Sequence, residues 1–235
     1  DKLQITASFY PLYFFASEIG GDIVHVTNIT HAGVEPHDYE PGAQDIASLE
    51  RSALIILNGG GLEPWSKTLS QNISHERTKI TVVGDGLLVD HDPHIWLSPV
   101  IAKKMADKIA LELSDVDQAN AYYYSLNVAA FKTRLDALDS DFRSGLGSCQ
   151  KHEIITSHAA FGYLAREYGL KQVSIAGLSP ESEPSLSRLV EIAKFAKDND
   201  VKYIFFESLV SPRLSDTIAN EIGAKTLVLN PIEGM

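Results

Sequence analysis

Ala53-Leu54-Ile55-Ile56-Leu57 is an apolar run with no polar side chain on either face. A strand with one wet face alternates polar and apolar residues. A run without alternation reads as a strand buried on both sides, as in a parallel sheet covered by helices. Working outward, Leu3-Gln4-Ile5-Thr6-Ala7, Ile23-Val24-His25-Val26 and Ile80-Thr81-Val82-Val83 read as further strands. Residues 11–19 and 43–51 carry helical patterns between them. This strand–helix rhythm implies parallel sheets with helices on both faces.

Ser98-Pro99 starts the next helix, with a capping hydroxyl and Pro at the first position. Its apolar face is Ile101, Met105, Ile109 and Leu113. Residues 114–146 then carry a stripe of Tyr124, Val128, Phe131, Leu135, Leu138 and Phe142, stepping four and three residues along one face. Neither Gly nor Pro interrupts it before Gly145. The spacing predicts one long helix, a rigid connector. Beyond it the rhythm resumes. Glu153-Ile154-Ile155-Thr156, Gln172-Val173-Ser174-Ile175, Tyr203-Ile204-Phe205-Phe206 and Thr226-Leu227-Val228-Leu229 read as strands, with helices after Ser157, around Leu186–Ala193, and over residues 212–222. The expected fold is α/β: an N-terminal lobe over residues 1–113, a connecting helix over 114–147 and a C-terminal lobe over 148–235.

The bulk numbers narrow the function. The chain has 235 residues and a net charge of −11, from 20 Lys plus Arg and 31 Asp plus Glu. No basic stripe is present to neutralise phosphates, which argues against nucleic acid. Cys149 is the single cysteine, so an internal disulfide and a Cys-rich zinc site are both excluded. No apolar run reaches membrane-spanning length. The opening Asp1-Lys2-Leu3 fits a processed or trimmed mature protein, a hint of export.

Three histidines stand in loops where a metal site is the sharper explanation. His37 follows the second strand, His94 lies between the fourth strand and the Ser98 cap, and His158 follows Glu153–Thr156. Ligands of open α/β sheets bind beyond the carboxyl ends of the strands, where each of these lies. Taken singly, each is better explained as a cap or surface residue; the shared position after strands reverses that and favours a ligand role. Glu233, after the last strand, is the candidate fourth ligand, which would give each lobe two. Three imidazoles and a carboxylate would complete a tetrahedral zinc shell. Glu207, Asp92 or water could take the fourth position instead. His25 alternates with Val24 and Val26 and should face solvent; His75 and His152 sit in polar segments; His91 forms an H-x-x-H pair with His94 but reads as a solvated loop residue. Trp65 and Trp96 read as covers of core edges, or as walls of the cleft.

Several motifs together resemble the metal-binding solute-binding proteins of bacterial ABC importers, in the zinc and manganese cluster. They are Thr6-Ala7-Ser8-Phe9-Tyr10-Pro11, Val34-Glu35-Pro36-His37-Asp38-Tyr39-Glu40-Pro41, Asn58-Gly59-Gly60-Gly61-Leu62-Glu63-Pro64-Trp65, Asp92-Pro93-His94-Ile95-Trp96-Leu97-Ser98-Pro99 and Thr156-Ser157-His158-Ala159-Ala160-Phe161. The resemblance spans nearly the whole chain. It implies two α/β lobes joined by a long backbone helix, with the metal between them on His37, His94 and His158. Manganese members carry a carboxylate where His158 stands, so the imidazole points to zinc. The streptococcal-type zinc members use a glutamate in a Pro-Ile-Glu-Gly-like stretch, which maps onto Glu233; others use an aspartate near Asn230. Zinc members often carry a His-rich loop before Asp-Pro-His, where only Val89-Asp90-His91 stands here. The family also continues past this glutamate, so the C-terminal lobe is open to truncation at Met235.

The resemblance implies a Zn²⁺-binding component that passes the ion to a membrane permease. It would act as a monomer outside the cytoplasmic membrane, in the periplasm or on a lipid anchor. Surface adhesion is a further role some members show. The rivals are a manganese or iron carrier and, from another class, a zinc hydrolase with Asp38, Glu35 or Glu207 as base. No H-E-x-x-H pairing supports the hydrolase, and a fourth protein ligand would close its water position.

Overall fold

The structure, a computed structural model, describes residues 2–73 and 77–235. His75 lies outside the described residues. The chain divides into two compact units, residues 1–139 with 232–235, and residues 140–231.

The first unit contains β1 (Leu3–Ala7), α1 (Tyr10–Gly20), β2 (Val24–Asn28), α2 (Ala43–Arg51), β3 (Leu54–Leu57), α3 (Ser66–Asn72), β4 (Lys79–Val82) and α4 (Pro99–Val116). Its sheet runs in the order β2-β1-β3-β4, parallel throughout. All of β3 is buried, as its unbroken apolar run requires. His25 is exposed on edge strand β2, in keeping with its place between two valines. Ser98 caps α4 by accepting the Ile101 N–H, and Met105, Ile109 and Leu113 are fully buried beneath it.

The expected helix over residues 114–146 is two helices. Residues 114–116 finish α4, and α5 spans Ala121–Leu146. The break falls at Asp117, whose carboxylate accepts from Asn120 Nδ2 at 2.8 Å and from the Tyr124 hydroxyl at 2.7 Å. A short acidic side chain that bonds forward along the chain competes with helix continuation and serves the next helix's start. The first part of α5 belongs to the first unit. There Phe131 meets Phe14 and Phe15 edge-on at 5.9 and 5.0 Å, and Asn127 Nδ2 donates to the Ile19 carbonyl at the end of α1. The last part belongs to the second unit, where Phe142 stacks on Tyr168 at 5.0 Å. Between them the stripe surfaces, with Leu138 43% exposed.

The second unit contains β5 (Glu153–Thr156), α6 (Gly162–Glu167), β6 (Lys171–Ser174), α7 (Leu186–Asp198), β7 (Tyr203–Phe206), α8 (Arg213–Ile222) and β8 (Lys225–Val228). Its parallel order, β6-β5-β7-β8, repeats that of the first. Ile155, Ile204, Ile192 and Ile218 form its core. Ser157 does not cap the following helix: α6 starts after Phe161 without a side-chain cap, and the Ser157 hydroxyl is engaged by Glu207.

In both sheets the strand order reverses between the two central strands, β1 and β3 or β5 and β7. The crevice at such a switch point is where open α/β sheets receive ligands. Ser8 and Asn58 stand there in the first unit, Ser157 and Glu207 in the second.

Candidate metal centre

The first unit brings together His37, His94 and Glu233. Pro36 opens a short 3-10 turn that presents His37. His94 immediately precedes a second such turn, and its Nε2 lies 3.3 Å from His37 Nε2. Glu233 Oε1 is 3.3 Å from the same nitrogen of His94. Ligand atoms about 2.0–2.1 Å from a tetrahedral zinc sit about 3.3–3.4 Å from each other, so these spacings are those of a zinc edge. His94 is fully buried and Glu233 is 2% exposed, despite its place near the last residue. The segment carrying Glu233 is grouped with the first unit, where the Gly33 N–H donates to the Gly234 carbonyl at 2.8 Å. The two-and-two division of candidate ligands expected between lobes becomes three and one. Ile232, beside Glu233, adopts φ +59, a left-handed conformation unusual for a β-branched residue.

His158 belongs to the second unit, fully buried just past β5. Its Nδ1 lies 2.6 Å from Glu207 Oε1, and the Ser157 hydroxyl donates to the same oxygen. His94 has a matching partner: its Nδ1 is 2.6 Å from Asp92 Oδ1, which also accepts the His94 backbone N–H at 3.0 Å. A carboxylate only accepts, so each ring holds a proton on Nδ1, which leaves Nε2 as the nitrogen able to ligate once it is deprotonated. Glu207 and Asp92, competitors for the fourth ligand on sequence, each bond a candidate ligand ring at its Nδ1 and so fix its orientation. A carboxylate behind an imidazole also raises its basicity as a ligand.

Burial opposes a charge on His94, but hydrogen bonds and charges from Asp92 and Glu233 outweigh it and push its pKa from 6.5 up to about 9. Without metal the ring is therefore an imidazolium at neutral pH, paired with two carboxylates. Trp96 covers it at 5.3 Å and meets Phe9 edge-on at 4.7 Å, which makes it both a core residue and a wall. Trp65 packs against the cluster around Leu49 and Ile55.

A supporting chain behind His94 escaped the sequence reading. The Glu63 carboxylate accepts from the Ser8 hydroxyl at 2.6 Å, the Asn58 N–H at 2.7 Å and the Gly59 N–H at 2.9 Å. Burial pushes this carboxyl up, against those three bonds. Asn58, so fixed, donates its side-chain amide to the Pro93 carbonyl at 2.8 Å, one residue before His94. Gly60, at φ +69, passes so close to Pro93 that a Cβ would stand 3.1 Å from it. The available signal was a run of glycines bracketed by Asn58 and Glu63 at a strand end, where buried polar groups need partners.

The family model for the periplasmic zinc-uptake complex component A, ZnuA, matches residues 5–235. The chain belongs to this family. It is 38% identical over 255 residues to the high-affinity zinc uptake system protein ZnuA of Bacillus subtilis, covering all of this chain and 80% of that protein. It is 38% identical over 254 residues to the zinc-binding lipoprotein AdcA of Streptococcus pneumoniae, where it spans 51% of the relative's length. Among solved structures, the Zn(II)-bound ZnuA-like domain of S. pneumoniae AdcA superimposes with a TM-score of 0.87 at 38% identity, over all of this chain and 90% of that one. The two four-stranded parallel sheets and their flanking helices are thus the ZnuA-like fold.

Proposed function

We propose that this ZnuA-family chain is the extracytoplasmic Zn²⁺-binding component of an ABC metal importer, delivering the ion to a membrane permease. His37, His94, His158 and Glu233 are the ligands, together three imidazoles and one carboxylate. One observation carries the reading: two Nε2 atoms and a carboxylate oxygen in the first unit at the separations of a tetrahedral zinc edge. His158, with Nδ1 committed to Glu207, supplies the remaining lone pair. The family's description as a periplasmic zinc-uptake component and the lipoprotein relative support a place outside the cytoplasmic membrane, in the periplasm or on a lipid anchor. The carrier acts as a monomer, with α5 as its connecting backbone helix.

A donor set of three imidazoles favours Zn²⁺ over Mn²⁺, which prefers oxygen ligands. A hydrolase would need an open position and a free base. Glu207 is engaged by His158 and Ser157, and Glu35 accepts the His37 N–H. Zinc titration of the wild type against His158→Ala, Glu233→Gln and Glu207→Gln tests the ligand set. Unchanged affinity in His158→Ala would remove that ligand. A loss in Glu207→Gln with none in Glu233→Gln would move the fourth.

A further inference from the structure

The second unit holds His158 in two separate ways. Glu207 engages the ring. The main chain is held from the edge strand β6. Pairing continues past the ends of β5 and β6. The Ile175 N–H donates to the Thr156 carbonyl at 2.9 Å, the Ala176 N–H to the Ser157 carbonyl at 2.8 Å, and the Ala159 N–H to the Gly177 carbonyl at 2.8 Å. The His158 carbonyl accepts from side chains, the Thr156 hydroxyl at 2.7 Å and Gln172 Nε2 at 3.1 Å. Gln172 Nε2 also donates to Thr156 Oγ1 at 2.8 Å. The register sets Gln172 opposite Ile154, so its side chain shares a face with Thr156, two residues further along β5.

We propose that Gln172 is a positioning residue for His158, fixing the main chain from which the imidazole reaches the ion. This role rests on the carrier reading, with His158 as a zinc ligand. The chemistry calls for an amide at this position. The Thr156 hydroxyl gives its one proton to the His158 carbonyl, so its oxygen is left to accept. The carbonyl can only accept. One NH₂ group meets both with its two protons, whereas a carboxylate meets neither and a hydroxyl only one. The three groups close a ring of hydrogen bonds around a fully buried residue, where a lost donor leaves an acceptor short of a partner. Glu207 limits rotation of the imidazole, but a shift of the main chain would carry the ring and its Nε2 together. A binding constellation holds its geometry to about 0.5 Å only when such supporting bonds lock it. Thr156 and Gln172 resist the displacement that Glu207 leaves free.

The test reads zinc affinity of the full chain, by competition with a chelator, and the visible absorption of its Co²⁺-loaded form. Gln172→Met keeps the side chain's length and removes both donors. It should weaken zinc binding about tenfold and shift the Co²⁺ bands. Thr156→Val breaks the same ring of bonds and should do the same. Thr156→Ser keeps the hydroxyl and should return both readouts to wild-type values. Val173→Ala thins the packing beneath the same strand. It should lower the melting temperature yet leave affinity and spectrum unchanged. Should Gln172→Met fail to fold, the Thr156→Val and Thr156→Ser pair decides. Wild-type affinity and an unmoved Co²⁺ spectrum in Gln172→Met, or an equal loss in Val173→Ala, would overturn the proposal and leave the carrier reading standing. A wild type that failed to bind zinc would overturn both.

Discussion

Zinc binding near neutral pH should release a proton from His94, and affinity should climb as pH rises. Burial opposes the charge on this ring, but Asp92 and Glu233 raise its pKa to about 9. At pH 7 only about one metal-free molecule in a hundred offers the Nε2 lone pair, which costs zinc binding about 3 kcal/mol. Raising the pH from 7 to 9 should therefore strengthen apparent affinity about fiftyfold through this group. The metal-free protein should show the opposite trend. A folded pKa above the unfolded one stabilises the fold fully below about pH 6.5, and that contribution, about 3 kcal/mol, is lost as pH rises through about 9. The assay is calorimetric zinc titration against a competing chelator, in buffers of different ionisation enthalpy, beside melting of the metal-free protein. Asp92→Asn keeps an acceptor for Nδ1 but removes the charge, so it should flatten both trends. Affinity independent of pH between 7 and 9, with no proton released, would refute the electrostatic account of His94.

Glu207→Gln should weaken zinc affinity about 10- to 100-fold by loosening the His158 ring, and Glu233→Gln, which removes a ligand, should weaken it further; paired zinc titrations read both. Asn58→Leu leaves the Pro93 carbonyl without its donor. It should cost about 1–3 kcal/mol of stability in chemical unfolding and shift the visible absorption of the Co²⁺-substituted protein, a change that loss of stability alone would not produce. Ile232→Asn replaces a β-branched residue at φ +59 with one that tolerates that region; with Ile232 38% exposed, little packing is lost, and the unfolding free energy should rise by about 1 kcal/mol.

The fold was legible wherever one segment's own pattern settled its state. The Ala53–Leu57 run read as a doubly covered strand and the Ser98-Pro99 pair as a helix start, and both hold, with β3 over Leu54–Leu57 and α4 from Pro99, because burial and capping are decided within a few residues. The sequence misled where a side chain had two uses. Asp117 sits in a stretch with sound helical periodicity, and only its bonds to Asn120 and Tyr124 turn it into a break. Ser157 has the chemistry of a helix cap, but a buried glutamate takes its hydroxyl instead. Glu207 and Asp92 were legible as carboxylates near the site. Whether they ligate the ion or hold a ring depends on which imidazole nitrogen they face, and that is fixed by backbone positions far apart in sequence.

The same device occupies both switch points, and its difference accounts for the uneven placement of the candidate ligands. After β1 and after β5 a serine hydroxyl donates to a buried glutamate, Glu63 in one unit and Glu207 in the other. In the second unit the residue after the serine is His158, and the glutamate accepts from that ring at its Nδ1. In the first unit the corresponding residue is Phe9, which cannot ligate. Glu63 instead fixes the Asn58–Gly59 backbone, and the donors come from loops further out, His37 after β2 and His94 after β4. His94 must then be held from outside the sheet, by Asp92 on its ring and Asn58 on Pro93. Ring orientation by an anion has a consequence that orientation by a neutral acceptor would not: together with Glu233 it raises the His94 pKa to about 9 and keeps the metal-free ring charged near neutral pH. On the ligand set proposed above, Zn²⁺ would take the place of a proton on His94 seated between two carboxylates.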